Sequence, residues 1–359
     1  MDAPSIASCV SPQEPAGKSD RQFAESLILY RNAVMKEMHQ LIEGKRFERA
    51  LARRLEEYPL RAGKGLRPAL CLATCQAFGG GLMDALPSAV ALELYHNAFL
   101  VHDDIEDESL HRRGAPTMHQ KYGVAIAINV GDALNVLAMS PLLQNLRVIG
   151  LAKTLRVFNE IERMARESVE GQAMELEWVK NRRWQLSDRH YYLMTRKKTC
   201  WYTCITPCRI GAMIGGAGRE QMRALVRFGL FLGIAFQIRD DLLNLTGEEG
   251  SYGKENAGDL WEGKRTLMLI ELMHRTRGRE RDRLIRVMSA ARQDKTESQI
   301  QWVLAIMRKH GCLERARATL RRFAVRARSL FDRAMGDLPE TSHKRFLEQM
   351  VNYVIDRDY

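Results

Sequence analysis

From Arg21 to the end of the chain, apolar residues recur at three- and four-residue spacing, the period of one helix face. "FAESLILYRNAVMKEMHQLI", "LRPALCLATCQAF", "LPSAVALELYHNAFLVHDDIED" and "YGVAIAINVGDALNVLAMSPLL" each predict a helix. So do "FNEIERMARESVEGQAMELEWV", "LSDRHYYLMTRKKTCWYTCI", "REQMRALVRFGLFLGIAFQIRDDLLNL" and "KRTLMLIELMHR", followed by Arg-rich helices and a last one in "HKRFLEQMVNYVIDRDY". Breaks fall at "FGGGLMDALP", "HRRGAPT", "IGGAGRE" and "LTGEEGSYGKENAGD", punctuated by Gly and Pro. Ser187 reads as an N-cap. No alternating strand pattern, internal repeat or linker interrupts this, so the expected fold class is all-α in one domain, residues 21–359, after a disordered leader, residues 1–20. Several helices are apolar on more than one face, as in "ALVRFGLFLGIAFQI", which suits a bundle interior or a helix-rich dimer interface.

Composition sharpens this only in part. The chain has 359 residues, 45% of them hydrophobic and only ten of them Pro, which suits a helical domain with a large core. No run of eighteen apolar residues is present, so no transmembrane segment is expected, and the leader has no secretory signal. Seven cysteines, an odd number, point to reduced thiols and a cytoplasmic location. Cys200, Cys204 and Cys208 recur once per helical turn and read as small buried side chains, since structural zinc sites use shorter knuckles. The net charge of +11 is concentrated between Arg275 and Arg333. No groove-reading motif accompanies it, so nucleic acid is not expected as a partner. A solvated basic face, with weak peripheral contact to acidic lipid headgroups as a secondary benefit, accounts for it.

The chemistry sits in "HNAFLVHDDIEDESLHRRGAPT", where an apolar helix ends in Asp103, Asp104, Glu106, Asp107 and Glu108 and is followed by Arg112 and Arg113. Like charges one turn apart on a helix cost stability. Asp103 and Asp107 share a face, while Asp104 lies about 100° round the helix. A second cluster, "FQIRDDLLNLTG", repeats the spacing with Asp240, Asp241 and Asn244. Two such helix ends facing one another would supply the hard oxygen ligands that magnesium requires, with phosphate oxygens alongside. Basic residues complete the picture of two diphosphates: Lys64 and Arg67 at a helix start, Lys197, Lys198 and Thr199, then Lys254 and Lys264.

With these residues in view, the chain resembles the trans-isoprenyl diphosphate synthases, head-to-tail prenyltransferases that make farnesyl and geranylgeranyl diphosphate. The resemblance runs from about Ala62 to Thr266 and rests on "GKGLRP", "HNAFLVHDDIED…RRGAPT", "GQAME", "KKT", "FQIRDDLLNL" and "GKENAGDLWEGKRT". It implies the isoprenoid synthase fold, a helical bundle around a deep central apolar cavity, a homodimer, and three Mg2+ ions per site. It implies that Asp103, Asp107 and Asp240 are the metal ligands, with Asp104 and Asp241 supporting. Arg112, Lys198 and Lys254 would grip the allylic diphosphate, and Lys64, Arg67, His96 and Arg113 would bind isopentenyl diphosphate. Thr199 and Gln237 would line the reacting centre, with Lys264 closing over it. Two positions depart from the usual pattern: Asn244 and Glu175 stand where many relatives carry Asp.

The reaction so implied is ionisation, condensation and elimination, with no side-chain nucleophile. Product length should depend on Phe99, one turn below Asp103, and Tyr95, two turns below and roughly 11 Å away along the pitch. In the family the chain resembles, bulky residues at both adjacent positions favour farnesyl diphosphate, so the small Ala98 beside Phe99 implies geranylgeranyl diphosphate as the expected product. The alternatives are a farnesyl or longer-chain synthase, a terpene cyclase, a non-catalytic partner subunit and a basic helical protein that binds membrane or nucleic acid. A cyclase needs no isopentenyl site, which argues against it, and intact acidic clusters argue against the last two.

Overall fold

The computed structural model describes residues 18–61, 63–246 and 256–356. Helix α1 is Lys18–Gly44, α2 Arg49–Leu60, α3 Leu66–Ala77 and α4 Leu82–Glu106. A two-residue hairpin, β1 His111–Arg112 with β2 Ala115–Pro116, leads to α5 Met118–Tyr122, α6 Val124–Leu137, α7 Met139–Val148 and α8 Gly150–Lys180. Then come α9 Asp188–Thr195, a π-helix at Arg196–Ile205, α10 Thr206–Gly215 and α11 Arg219–Thr246. The last third holds α12 Gly258–Glu262, α13 Leu267–Arg275, α14 Gly278–Ser289, α15 Glu297–Lys309, α16 Cys312–Met335 and α17 Ser342–Asp356.

The fold is all-α, as the periodicity predicts, and the differences are local. The "YGVAIAINVGDALNVLAMSPLL" stretch is two helices, α6 and α7, meeting at Ala138. The "LSDRHYYLMTRKKTCWYTCI" stretch opens with Ser187 as N-cap but widens into the π-helix after Thr195. The hairpin at "HRRGAP" was not foreseen, because two residues per strand carry no alternating pattern. Two stretches, Val124–Val148 and Arg219–Thr246, are long and apolar enough by composition to cross a membrane, contrary to expectation. About half of each lies buried inside the bundle, so packing accounts for their hydropathy without a bilayer.

Helix α11 is the structural axis. Leu225, Phe228, Leu232 and Phe236 belong to the core formed with α1, α3, α4 and α10. Ile234, Ile238, Leu242 and Leu245, on its other side, belong to a second core built by α13, α15 and α16. Each such buried side chain contributes roughly 1.5–3 kcal/mol, so the acid-bearing end of α11 is held rigidly on both faces. Cys200, Cys204 and Cys208 are buried and free, and join these cores as the sequence predicts.

Candidate active site

Helix α4 ends at Glu106 with Asp107 as its C-cap, whose N–H still donates to Asp103 at 2.9 Å. Both carboxylates therefore sit on one face. Asp103 lies 3.1 Å from the Lys198 ammonium and 3.7 Å from an Arg112 nitrogen. Asp107 meets Lys264 at 2.6 Å. Burial first, then the neighbouring Asp103, push the Asp107 carboxyl up against the pull of Lys264. Asp104 turns the other way and is fully buried. It accepts from Arg112 Nε at 2.7 and 2.9 Å and from the Tyr58 hydroxyl at 2.7 Å. It thus fixes the arginine rather than facing the open side.

The second cluster comes to the same place from α11. Asp241 is buried, accepting from Tyr191 and Gln237, each at 2.8 Å. Thr199 in turn donates to Gln237 at 2.7 Å, which ties the π-helix to α11. Burial and the charge of Asp259 push Asp241 upward. Asn244 accepts the backbone N–H of Asp259 at 3.0 Å, so its amide organises the late loop. Asp240, one residue before Asp241, is half-buried. Lys264 also meets Glu262 at 2.7 Å and Asp259 at 3.9 Å, and so links the acids of α4 to those of α12.

Lys198 is placed by the π-helix. Gly171 of α8 has no room for a side chain, since a Cβ there would lie 2.1 Å from Lys198 N. That close approach brings Glu175, four residues further along α8, into an ion pair with Lys198. Burial alone would lower the Lys198 pKa, yet Asp103, Glu175 and Asp107 together raise it, so the ammonium stays charged. Lys197 points elsewhere, to Glu167 at 3.1 Å and Glu170 at 2.7 Å.

A second cationic group lies where α3 begins. Gly65 caps that helix at φ +64 with Arg31 carbons 3.2 Å from its would-be Cβ, a position only glycine fits comfortably. Arg67, in the first turn, donates to Thr203 at 2.9 Å, lies 3.3 Å from His96 Nε2 and sits over the Tyr202 ring. Arg67 Nε and His96 Nδ1 are buried without a hydrogen-bond partner. Buried donors left open in this way call for a partner, and an anion is one that would suit both. Arg113 donates to the Tyr58 and Arg61 carbonyls at 3.0 and 3.3 Å. Burial, opposed by Glu93 and reinforced by Arg112, Arg67 and Arg31, holds Arg113 down at about 10. Lys64 is exposed, with its ammonium 5.2 Å from the Tyr353 ring of α17.

Below Asp103 on α4, Phe99 and Tyr95 are half-buried, with ring centroids 6.2 Å apart. Phe99 meets Tyr202 edge-on at 5.8 Å. Ala98 is fully buried among core side chains. The structure thus gathers Asp103, Asp107, Lys198, Lys264, Thr199, Gln237 and Asp241 at one end and Arg67, His96 and Arg113 beside them. Lys254 lies outside the described residues. Tyr58, Glu93, Asp259 and Tyr202 escaped the sequence reading. Asp259 stood inside the "GDLWEGK" motif, whereas nothing in the sequence marked Tyr58, which reaches Asp104 only through the fold.

Comparison with known proteins gives a consistent answer. Residues 48–307 match the family model described as polyprenyl synthetase. A geranylgeranyl diphosphate synthase of Methanosarcina mazei is 33% identical over 299 residues, 83% of this chain and 86% of that protein. The solved geranylgeranyl pyrophosphate synthetase of Pyrococcus horikoshii superposes with a TM-score of 0.82 at 29% identity, covering 95% of this chain and 100% of that one. A polyprenyl synthase of Caulobacter crescentus, solved with calcium and isoprenyl diphosphate, also gives 0.82, at 26% identity, covering 97% of this chain and 100% of that one.

Proposed function

Because this chain belongs to the polyprenyl synthetase family, we propose that it is a short-chain trans-prenyltransferase condensing isopentenyl diphosphate with allylic diphosphates. Geranylgeranyl diphosphate is the product this reading favours. One observation carries the synthase reading over a cyclase: the buried, unpartnered Arg67 Nε and His96 Nδ1, beside Arg113, suit a second diphosphate that a cyclase never binds.

The residues divide the work. Asp103, Asp107 and Asp240 offer the hard oxygen donors that suit Mg2+, three ions by family resemblance, whose charge would favour departure of the allylic diphosphate. Lys198 and Arg112, each near Asp103, and Lys264 beside Asp107, face the same leaving group and stabilise its developing charge. Asp104 holds Arg112 in place, and Asn244 holds the late loop through Asp259. Gln237 and Thr199 fix each other next to the reacting carbons. Lys64, Arg67, His96 and Arg113 bind isopentenyl diphosphate and present its double bond to the allylic cation. The new carbon–carbon bond forms there, and the proton then lost goes to the released diphosphate. Phe99 and Tyr202 keep water from the cation.

The family resemblance implies a homodimer, and the surface suits one. Ile128, Val136, Met139, Leu143, Leu146, Leu151 and Leu155, on α6, α7 and the start of α8, are exposed large apolar side chains that a second copy would cover. The free, buried cysteines fit a cytoplasmic location. The test is incubation of purified protein with isopentenyl diphosphate, each allylic starter in turn, and magnesium, followed by sizing of the dephosphorylated alcohols. A C20 alcohol is expected. A cyclic hydrocarbon formed from an allylic diphosphate alone would replace this reading with a cyclase.

A further inference from the structure

A groove of about 490 Å3 opens between the segment after α8 and helix α14. Arg182, Trp184, Ile285, Arg286, Ser289 and Ala290 line it. Its size suits a whole small-molecule ligand rather than a single ion. Arg182 and Arg286 are exposed and have no ion-pair partner among the described residues, while Ser289 Oγ is buried without a hydrogen bond. Trp184, Ile285 and Ala290 supply the apolar part of the lining. The groove therefore combines two anion-attracting side chains with an apolar surface.

Two further features adjoin the groove. Helix α8 closes with the Arg182 N–H on Val179 and the Arg183 N–H on Trp178, and Arg182 takes φ +48. Glycine is the usual residue at that left-handed position. An arginine stands there in spite of its Cβ and lines the groove together with Trp184. Behind the indole lies Arg265, only 2% exposed, with its guanidinium 3.8 Å from the Trp184 ring centroid. Its Nη2 is buried with no partner. Lys295, also buried, donates to the carbonyls of Leu260 and Trp261 in α12 at 2.9 and 2.6 Å. A third cation, Arg265, thus stands behind the Trp184 ring that lines the groove.

We propose that this groove is a second ligand site, which takes an anion carrying an apolar chain, namely a prenyl diphosphate. Arg182 and Arg286 hold the phosphates, and Trp184, Ile285 and Ala290 hold the chain. The choice of occupant rests on the function proposed above, because that reaction makes such molecules. Trp184 lies against Arg265, next in sequence to Lys264, so the groove adjoins the segment whose Lys264 meets Asp107.

Equilibrium dialysis of the full-length protein against labelled geranylgeranyl diphosphate with magnesium tests the site. Two molecules bound per chain are expected for the wild type, and one for the Arg182→Ala, Arg286→Ala double variant, whose condensation rate at low product should match the wild type. Equal stoichiometry in the two proteins would overturn the site while leaving the condensation activity, measured separately, to stand or fall alone. Inorganic diphosphate and geranylgeraniol, each by itself, should displace the second molecule at least ~10-fold less well than the prenyl diphosphate. Displacement by free diphosphate at equal concentration would make it a plain anion site, and equal displacement by the alcohol would make it a plain apolar one; either result would refute the proposal.

Discussion

Arg112 and Asp104 form a buried ion pair at the end of α4, with Arg112 Nε 2.7 Å from one carboxylate oxygen and Tyr58 donating to the other. The pair is a strut, and it explains why two adjacent aspartates have different partners.

Removing Asp104 leaves a guanidinium buried without its counter-charge. Asp104→Ala should therefore lose about 3–5 kcal/mol of stability. Urea unfolding measures it, and a loss below ~1 kcal/mol would remove the strut role.

Gly171→Ala inserts a methyl 2.1 Å from the Lys198 backbone nitrogen. Neither helix backbone can yield cheaply, so overpacking should cost about 1–3 kcal/mol. Condensation activity should fall at least ~10-fold further than stability alone explains, because Lys198 moves with its backbone. Activity at the wild-type level well below the melting temperature would show that the π-helix tolerates the shift.

Phe99→Ala removes a ring that meets Tyr202 and Tyr95 beneath Asp103. The alcohols recovered after dephosphorylation should become longer by at least one C5 unit. An unchanged length would exclude Phe99 as the floor. Ala98→Phe should act in the opposite sense and shift product toward C15.

His96 is held neutral: burial first, then Arg67, Arg113 and Arg112, push its pKa well below the ordinary 6.5. The unfolded imidazole takes up a proton near that value and the folded one does not. Below pH 6.5 the unfolded state therefore binds more protons, and stability falls as pH falls. The stability advantage of wild type over His96→Asn should shrink by up to ~1.4 kcal/mol per pH unit below that point. Denaturant unfolding at pH 7.5, 6 and 5 reads it, and parallel curves for the two proteins would contradict a buried neutral His96.

Much of the molecule is legible in one dimension. A period of 3.6 residues fixes the helices, because each must turn one apolar face inward whatever its neighbours are. Asp103 and Asp107 share a face for the same local reason. Matching motifs predict that the two acidic ends pair, but only packing on both faces of α11 sets where its acidic end lies. Roles within a motif were likewise out of reach: Asp103 and Asp104 are equivalent letters, and the fold alone gives one to Lys198 and the other to Arg112 and Tyr58. The π-helix, the hairpin and the groove under Trp184 depend on contacts between residues far apart in the chain. Side-chain chemistry and local periodicity are properties of sequence; distances between distant segments are set by how whole helices pack.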